Sequence, residues 1–208
     1  MRLIIVGCEY TGKSTLAHAL VEWGQQHDIR FHLDDHFTIP DQQMVKDPAE
    51  WRLMTQLPPA LKERYQRFQI YYHIHLLHEW DDIVLTGYHI EEHIYGARYY
   101  YPSEAHWLNY SRRIEKDMPE DTILLLLTAR PEVIRQRMQA SPHEFQVVPP
   151  EDVEEVQRQF ELEFNRSWLR RKMRLDTSDL APTDLLPAFL RRVRPHLNAR
   201  DLLRYPAG

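Results

Sequence analysis

Short apolar runs alternate along the chain with longer stretches of helical periodicity. Leu3-Ile4-Ile5-Val6 is continuous and rich in branched side chains, as a strand buried on both faces requires, and Leu16, Ala19, Leu20 and Trp23 then recur at helical spacing. Ile29, Phe31 and Leu33 alternate with Arg30 and His32, which predicts a second strand ending at Asp34-Asp35. Residues 38–60 carry Pro40, Pro48, Pro58 and Pro59 among polar residues and predict an irregular or partly helical excursion. Residues 61–80 lack proline and glycine, and Tyr65, Phe68, Tyr72, Leu76 and Trp80 form a helical stripe expected to face the core. A third strand, Ile83-Val84-Leu85, ends at Thr86-Gly87, and residues 88–96 read as a loop passing into a helix. The unbroken run 123–127 is the fourth strand. Pro131 opens a helix carrying Val133, Ile134 and Met138, which Ser141-Pro142-His143 stops. A charged helix from 151 to about 171, a short strand and turn over 173–178 and a last helix over 183–196 complete the chain. Strands separated by helical segments imply parallel crossovers, hence a three-layer α/β fold with a mostly parallel sheet of about five strands in one domain, 1–208.

One stretch adds chemistry to this pattern. Gly7-Cys8-Glu9-Tyr10-Thr11-Gly12-Lys13-Ser14, between the first strand and the first helix, fits the phosphate-binding loop G-x-x-x-x-G-K-[ST]. Such a loop wraps backbone N–H groups around a β-phosphate, its lysine supplies charge to the β- and γ-oxygens, and its Ser hydroxyl helps to hold Mg²⁺. The following helix adds the positive end of its dipole. The chain has six glycines, and two of them stand where the backbone must approach phosphate. Gly7, Tyr10, Thr11, Gly12, Lys13, Ser14 and Thr15 are therefore the candidate ATP-binding residues, with Ser14 toward the metal. In a parallel sheet the carboxyl ends of the strands face the ligand crevice, which puts Asp34 and Asp35 near the transferred phosphate.

Composition narrows the partners. A formal net charge of −5 argues against a nucleic-acid polymer or a membrane surface bound through a basic face, whereas a small anionic substrate needs only local cations. The single cysteine, Cys8, excludes an internal disulfide and fits a reducing compartment. It sits within the loop, where a small incidental residue is the simpler reading than a functional thiol. No apolar run has the length of a signal peptide core or a membrane span, so the expectation is a cytoplasmic protein. A homodimer is compatible with this reading.

Several further stretches bear on the family. Tyr88-His89-Ile90-Glu91-Glu92-His93-Ile94-Tyr95-Gly96 follows the third strand, Phe68-Gln69-Ile70-Tyr71 lies in the long helix, Leu127-Thr128-Ala129-Arg130-Pro131-Glu132 leads to Arg135 and Arg137, and Asp176-Thr177-Ser178 ends the last strand. With the phosphate loop, these make the chain resemble the thymidylate kinase and deoxynucleoside kinase branch of the P-loop kinases over most of its length. The resemblance implies ATP- and Mg²⁺-dependent phosphoryl transfer to a nucleoside or nucleotide. It implies base recognition by Gln69, substrate contacts from Tyr88, Glu92 and Arg98, an arginine-bearing lid over about 138–150, and Asp176 and Thr177 beside the adenine. Those families carry Asp-Arg or Glu-Arg at the end of the third strand, and here Thr86-Gly87 stands there. The acceptor hydroxyl then depends on another carboxylate, Asp34 or Asp35 first, with Glu91 and Glu92 next.

Arg135 and Arg137 are candidates to brace the γ-phosphate, but residues two apart point in different directions on a helix, so one of them at most is expected to face the site. A rival reading comes from His89-Ile90-Glu91-Glu92-His93, which satisfies H-x-x-E-H. On a helix, His89 and His93 would share a face and hold zinc, with Glu92 as general base of a hydrolase. His75 and His78 also share a helical face. A third reading is a switch protein that binds and slowly hydrolyses NTP, signalling through residues 38–60.

Overall fold

The protein is described by a computed structural model covering residues 1–35, 56–102, 113–143 and 146–205, with residues 47, 49, 50 and 53 between the first two of these segments. Most of the predicted excursion over 38–60 lies outside the described residues, as does the side chain of Asp35.

Five strands, β1 (Arg2–Val6), β2 (His32–Asp35), β3 (Ile83–Thr86), β4 (Ile123–Thr128) and β5 (Arg171–Asp176), form one sheet in the order β2-β3-β1-β4-β5. Every pairing in it is parallel. Among the described residues seven α-helices connect and flank it: α1 (Lys13–Gln26), α2 (Pro59–Glu79), α3 (His89–Tyr95), α4 (Pro131–Ala140), α5 (Val153–Arg166), α6 (Pro182–Val193) and α7 (Ala199–Arg204).

Side chains alternate across each strand, and the two faces feed two separate cores. Ile4, Val6, Leu85, Leu124 and Leu126 pack with Ile70 and Leu77 of α2, Ile94 of α3, Ile134 of α4 and Phe160 of α5. Leu3, Ile5, Val84, Leu125 and Leu127 pack with Leu16 and Leu20 of α1 and with Leu185 and Phe189 of α6. The central strands β1, β3 and β4 are apolar but for Arg2, Thr86 and Thr128 at their ends, because both of their faces are covered. A fully buried Leu or Ile contributes roughly 1.5–3 kcal/mol, so these strands dominate the stability of the sheet. This is the predicted three-layer architecture, with all strand carboxyl ends on one edge.

The helices differ from expectation in three places. On α1 the buried positions are Leu16, Ala17, Leu20 and Gly24, one step round from the Ala19 and Trp23 of the predicted stripe. The aromatic stripe of α2 faces outward: Phe68 is 70% exposed and Tyr72 46%, while Glu63, Gln66, Gln69, Ile70, His73, Leu76 and Leu77 are buried. The inner face of α2 is apolar only toward its end, where it packs on the sheet. Its first half carries acids and amides toward α3. Lastly, α5 stops at Arg166 rather than near 171, since the Lys172 ammonium takes up the Phe164 and Ser167 carbonyls, each at 3.0 Å. The charged residues beyond form edge strand β5, where Met173 and Leu175 point inward and Arg174 outward. No helix among the described residues is long and apolar enough to cross a membrane.

Candidate active site

The loop between β1 and α1 closes tightly. Gly7 has φ 148, and a Cβ there would lie 2.4 Å from the Leu127 carbonyl oxygen of neighbouring β4, so only glycine fits. Tyr10 takes a left-handed φ of 64, and the Thr11 hydroxyl donates to the Cys8 carbonyl at 2.7 Å. Lys13 folds back into the loop, its ammonium donating to the Gly7 carbonyl at 2.6 Å and the Cys8 carbonyl at 3.3 Å. Helix α1 starts at Lys13 with Gly12 as N-cap, no side chain capping it and no acidic residue in its first turn. Ser14 and Thr15 are exposed at that end. An uncapped helix start beside a lysine resting on neutral carbonyls suits a bound anion. Cys8 is buried and its thiol is pushed up to about 12 by that burial, which makes it a packing residue rather than a nucleophile.

On one side the loop is stapled to the end of β5. Arg137 donates to the Tyr10 carbonyl at 2.9 Å and to the hydroxyl and carbonyl of Thr177 at 3.1 and 2.7 Å. Thr177 donates its hydroxyl to the Thr11 carbonyl at 2.9 Å, and Asp176 accepts from the backbone N–H of Ser178. Thr177 and Arg137 thus converge on the loop, whereas Asp176 turns to Ser178. Arg135 does not join them: on the other side of α4, its guanidinium bonds Pro150 O and Glu154.

Two loop residues bind the segment after α4: Glu9, to which the sequence assigns no role, and Tyr10, which it places at the ATP. The Glu9 carboxylate accepts from the backbone N–H of Val147 and of Val148, at 3.0 and 2.7 Å. Burial raises its pKa, and these bonds oppose the rise. Tyr10 stacks on His143 at 4.2 Å and donates its hydroxyl to Gln146. Residues 144 and 145 of the predicted lid lie outside the described residues. Glu9 occupies one of the unrestricted positions of the loop pattern, so only its charge, beside the neutral Cys8, Tyr10 and Thr11, signalled a role.

The opposite side is acidic. Asp34, at the carboxyl end of β2, lies 3.1 Å from His73 Nε2 on α2. Glu91 and Glu92 of α3 are 3% exposed, and Glu91 Oε2 is 3.5 Å from Lys13 Nζ. Gln69 is buried on the same side, donating to the Tyr65 hydroxyl at 2.9 Å. Tyr88 is fully buried and donates its hydroxyl to the Ile70 carbonyl, which makes it a structural support rather than a substrate contact. Arg98 pairs with Asp152 at 2.8 Å, tying the turn after α3 to the start of α5. The zinc arrangement is not formed: His89 Nε2 meets Glu115 at 2.8 Å while His93 points to Glu163 at 3.8 Å, and no three metal-binding side chains gather among the described residues.

Burial, then the nearby Glu91 and Glu63 carboxylates, raise the Glu92 pKa well above its ordinary 4.5. A carboxyl with a higher pKa in the folded state takes up a proton on folding. Its stabilising effect is full below 4.5 and is lost as pH rises toward the folded value. Glu92→Gln, neutral at every pH, is expected to flatten that decline, with a Tm at pH 8 equal to or above wild type in a calorimetric pH series.

No protein-family model matches the sequence, and no curated protein does. Among solved structures, the chain is similar to the YorR protein of Bacillus subtilis in complex with phosphorylated GDP, at 15% identity over 95% of this chain and 99% of that one, with a TM-score of 0.61. It is similar also to the thymidylate kinase of Candida albicans, at 15% identity over 94% of this chain and 92% of that one, with a TM-score of 0.62. The chain therefore has the P-loop kinase fold.

Proposed function

We propose, from that fold and the loop it carries, that the protein transfers the γ-phosphoryl group of ATP to a hydroxyl or phosphate of a small molecule, a nucleoside or nucleotide. The observation that carries the reading is Lys13, held on neutral carbonyls at the uncapped start of α1 with Glu91 beside it. The backbone of residues 7–15 with Lys13 would hold the phosphates, and the Ser14 hydroxyl would hold the metal. When bound, magnesium and ATP supply the transferable group and a charge that offsets its oxygens. Lys13 positions the group and neutralises it in line with the acceptor. Arg137, bonded to neutral oxygens between the loop and Thr177, supplies a planar cation to the same region. Asp34 and Glu91 lie on the acceptor side, with Gln69 offering an amide to a base.

The nucleotide-kinase structures that share the fold support this class of acceptor. A screen of radiolabelled ATP against nucleosides and their 5′-monophosphates tests it. Label is expected in a nucleoside monophosphate or diphosphate with one of these acceptors, and label only in inorganic phosphate would defeat the reading. Within the same assay, Arg137→Ala should lower kcat by about 10²-fold and weaken ATP binding less, because the contact strengthens as charge develops in the transition state. Lysine should restore this only in part. Arg135→Ala, on the far side of α4, should leave kcat within about twofold, the range of an exposed pair.

A further inference from the structure

The turn from β3 into α3 is strained. Gly87 has φ 77, and Tyr88, which precedes α3, has φ 74 and ψ −153, a region that residues with side chains rarely enter. Burial keeps it there. The Tyr88 ring packs edge-on against His73 and His89, its hydroxyl is fixed on Ile70, and His89 is fixed in turn by Glu115. The strained turn places Glu91. Helical side chains lean toward the helix start, so Glu91, third residue of α3, folds back over Gly87. A Cβ at Gly87 would lie 3.0 Å from Glu91 Oε2, the same oxygen that stands 3.5 Å from Lys13 Nζ. Any side chain at position 87 would compete with this carboxylate for its space.

Building on the phosphoryl-transfer reading above, we infer that Glu91 accepts the proton of the acceptor hydroxyl, supplying from α3 the carboxylate that Thr86 and Gly87 do not supply from the strand end. Contact with the loop lysine sets it apart from Asp34, whose carboxylate lies against His73. Phosphate oxygens in the loop would draw Lys13 away from the Gly7 carbonyl and from Glu91, turning the carboxylate toward the nucleophile. In the step, the acceptor oxygen bonds to the γ-phosphorus, and the bond from that phosphorus to the bridging oxygen breaks with its electron pair left on ADP. The hydroxyl proton passes to Glu91 and then to water. Burial and the Glu91 carboxylate both push neighbouring Glu92 toward its neutral form.

The test compares wild type with Glu91→Gln, Glu91→Asp and Asp34→Asn, using calorimetric titration with Mg·ATP and label transfer from ATP to a panel of nucleosides and 5′-monophosphates. Glu91→Gln is expected to bind Mg·ATP at least as tightly as wild type, since the anion competing for Lys13 is gone. It should lose kcat by roughly 10²-fold or more with little change in acceptor KM. Glu91→Asp should recover part of the rate, and Asp34→Asn should keep more of it than Glu91→Gln. Undiminished transfer in Glu91→Gln overturns the inference, as do a wild type that labels only 5′-monophosphates, whose ionised phosphate brings no hydroxyl proton, and a loss of Mg·ATP affinity large enough to account for lost turnover. Should Glu91→Gln not fold, Gly87→Ala serves, because its Cβ displaces the carboxylate; normal turnover in that variant also overturns the inference. If wild type binds Mg·ATP but labels no acceptor, the kinase reading fails on its own. Glu91 is then judged on ATP hydrolysis, with water as nucleophile: a fall of similar size in Glu91→Gln supports the role and an unchanged rate overturns it.

Discussion

Lys13→Ala is expected to lose at least about 10²-fold in affinity for magnesium-ATP while the protein stays folded. Among the described residues the ammonium meets the Gly7 and Cys8 carbonyls and Glu91, which are polar contacts rather than core packing. In the complex it would make charge-assisted bonds to phosphate, each worth roughly 1.5–3 kcal/mol, so losing two removes a factor of 10² or more. A small cost in stability should accompany the change, because the Lys13–Glu91 ion pair is lost. Calorimetry of nucleotide binding, with a thermal melt on the same samples, decides the matter. A folded mutant that binds as wild type would remove the loop from the mechanism.

Gly7→Ala should be the more damaging change to the fold. Its Cβ would press on a backbone carbonyl of β4 at 2.4 Å, and a backbone atom in a central strand cannot swing aside. Alanine also resists φ 148. The cost should be about 3 kcal/mol or more, seen as a lowered midpoint in urea, and the remaining folded protein should bind nucleotide poorly because the loop has shifted. A midpoint within experimental error of wild type would show that the loop and β4 can separate cheaply.

These two positions were legible because their chemistry is local. A glycine-rich loop between a buried strand and a helix needs no tertiary information, and β1, β3 and β4 declare themselves as unbroken apolar runs. The crevice edge followed from parallel topology, which brought Asp34, Thr86, Thr128 and Asp176 to one side. What escaped was decided by long-range packing. Periodicity gave α2 a stripe but not its direction, and the face bearing Glu63, Gln66, Gln69 and His73 is the buried one. The stretch up to Arg171 resembled the end of a helix, but Lys172 caps α5 at Arg166 and the edge of the sheet takes Arg171. Thr86-Gly87 suggested a missing carboxylate, whereas a positive φ at Gly87 and at Tyr88 lets α3 return one. The clue was present in outline: an acidic residue one helical turn past a glycine leans back toward it.

Phosphorus NMR of wild-type protein with magnesium-ATP and the nucleoside and monophosphate panel follows the γ-phosphate itself. A kinase moves that signal into a new phosphomonoester or diphosphate resonance, in proportion to acceptor consumed and ADP formed. Appearance of the γ-phosphate solely as inorganic phosphate, at a rate indifferent to every acceptor, would contradict phosphoryl transfer and leave a nucleotide-hydrolysing protein with a kinase fold.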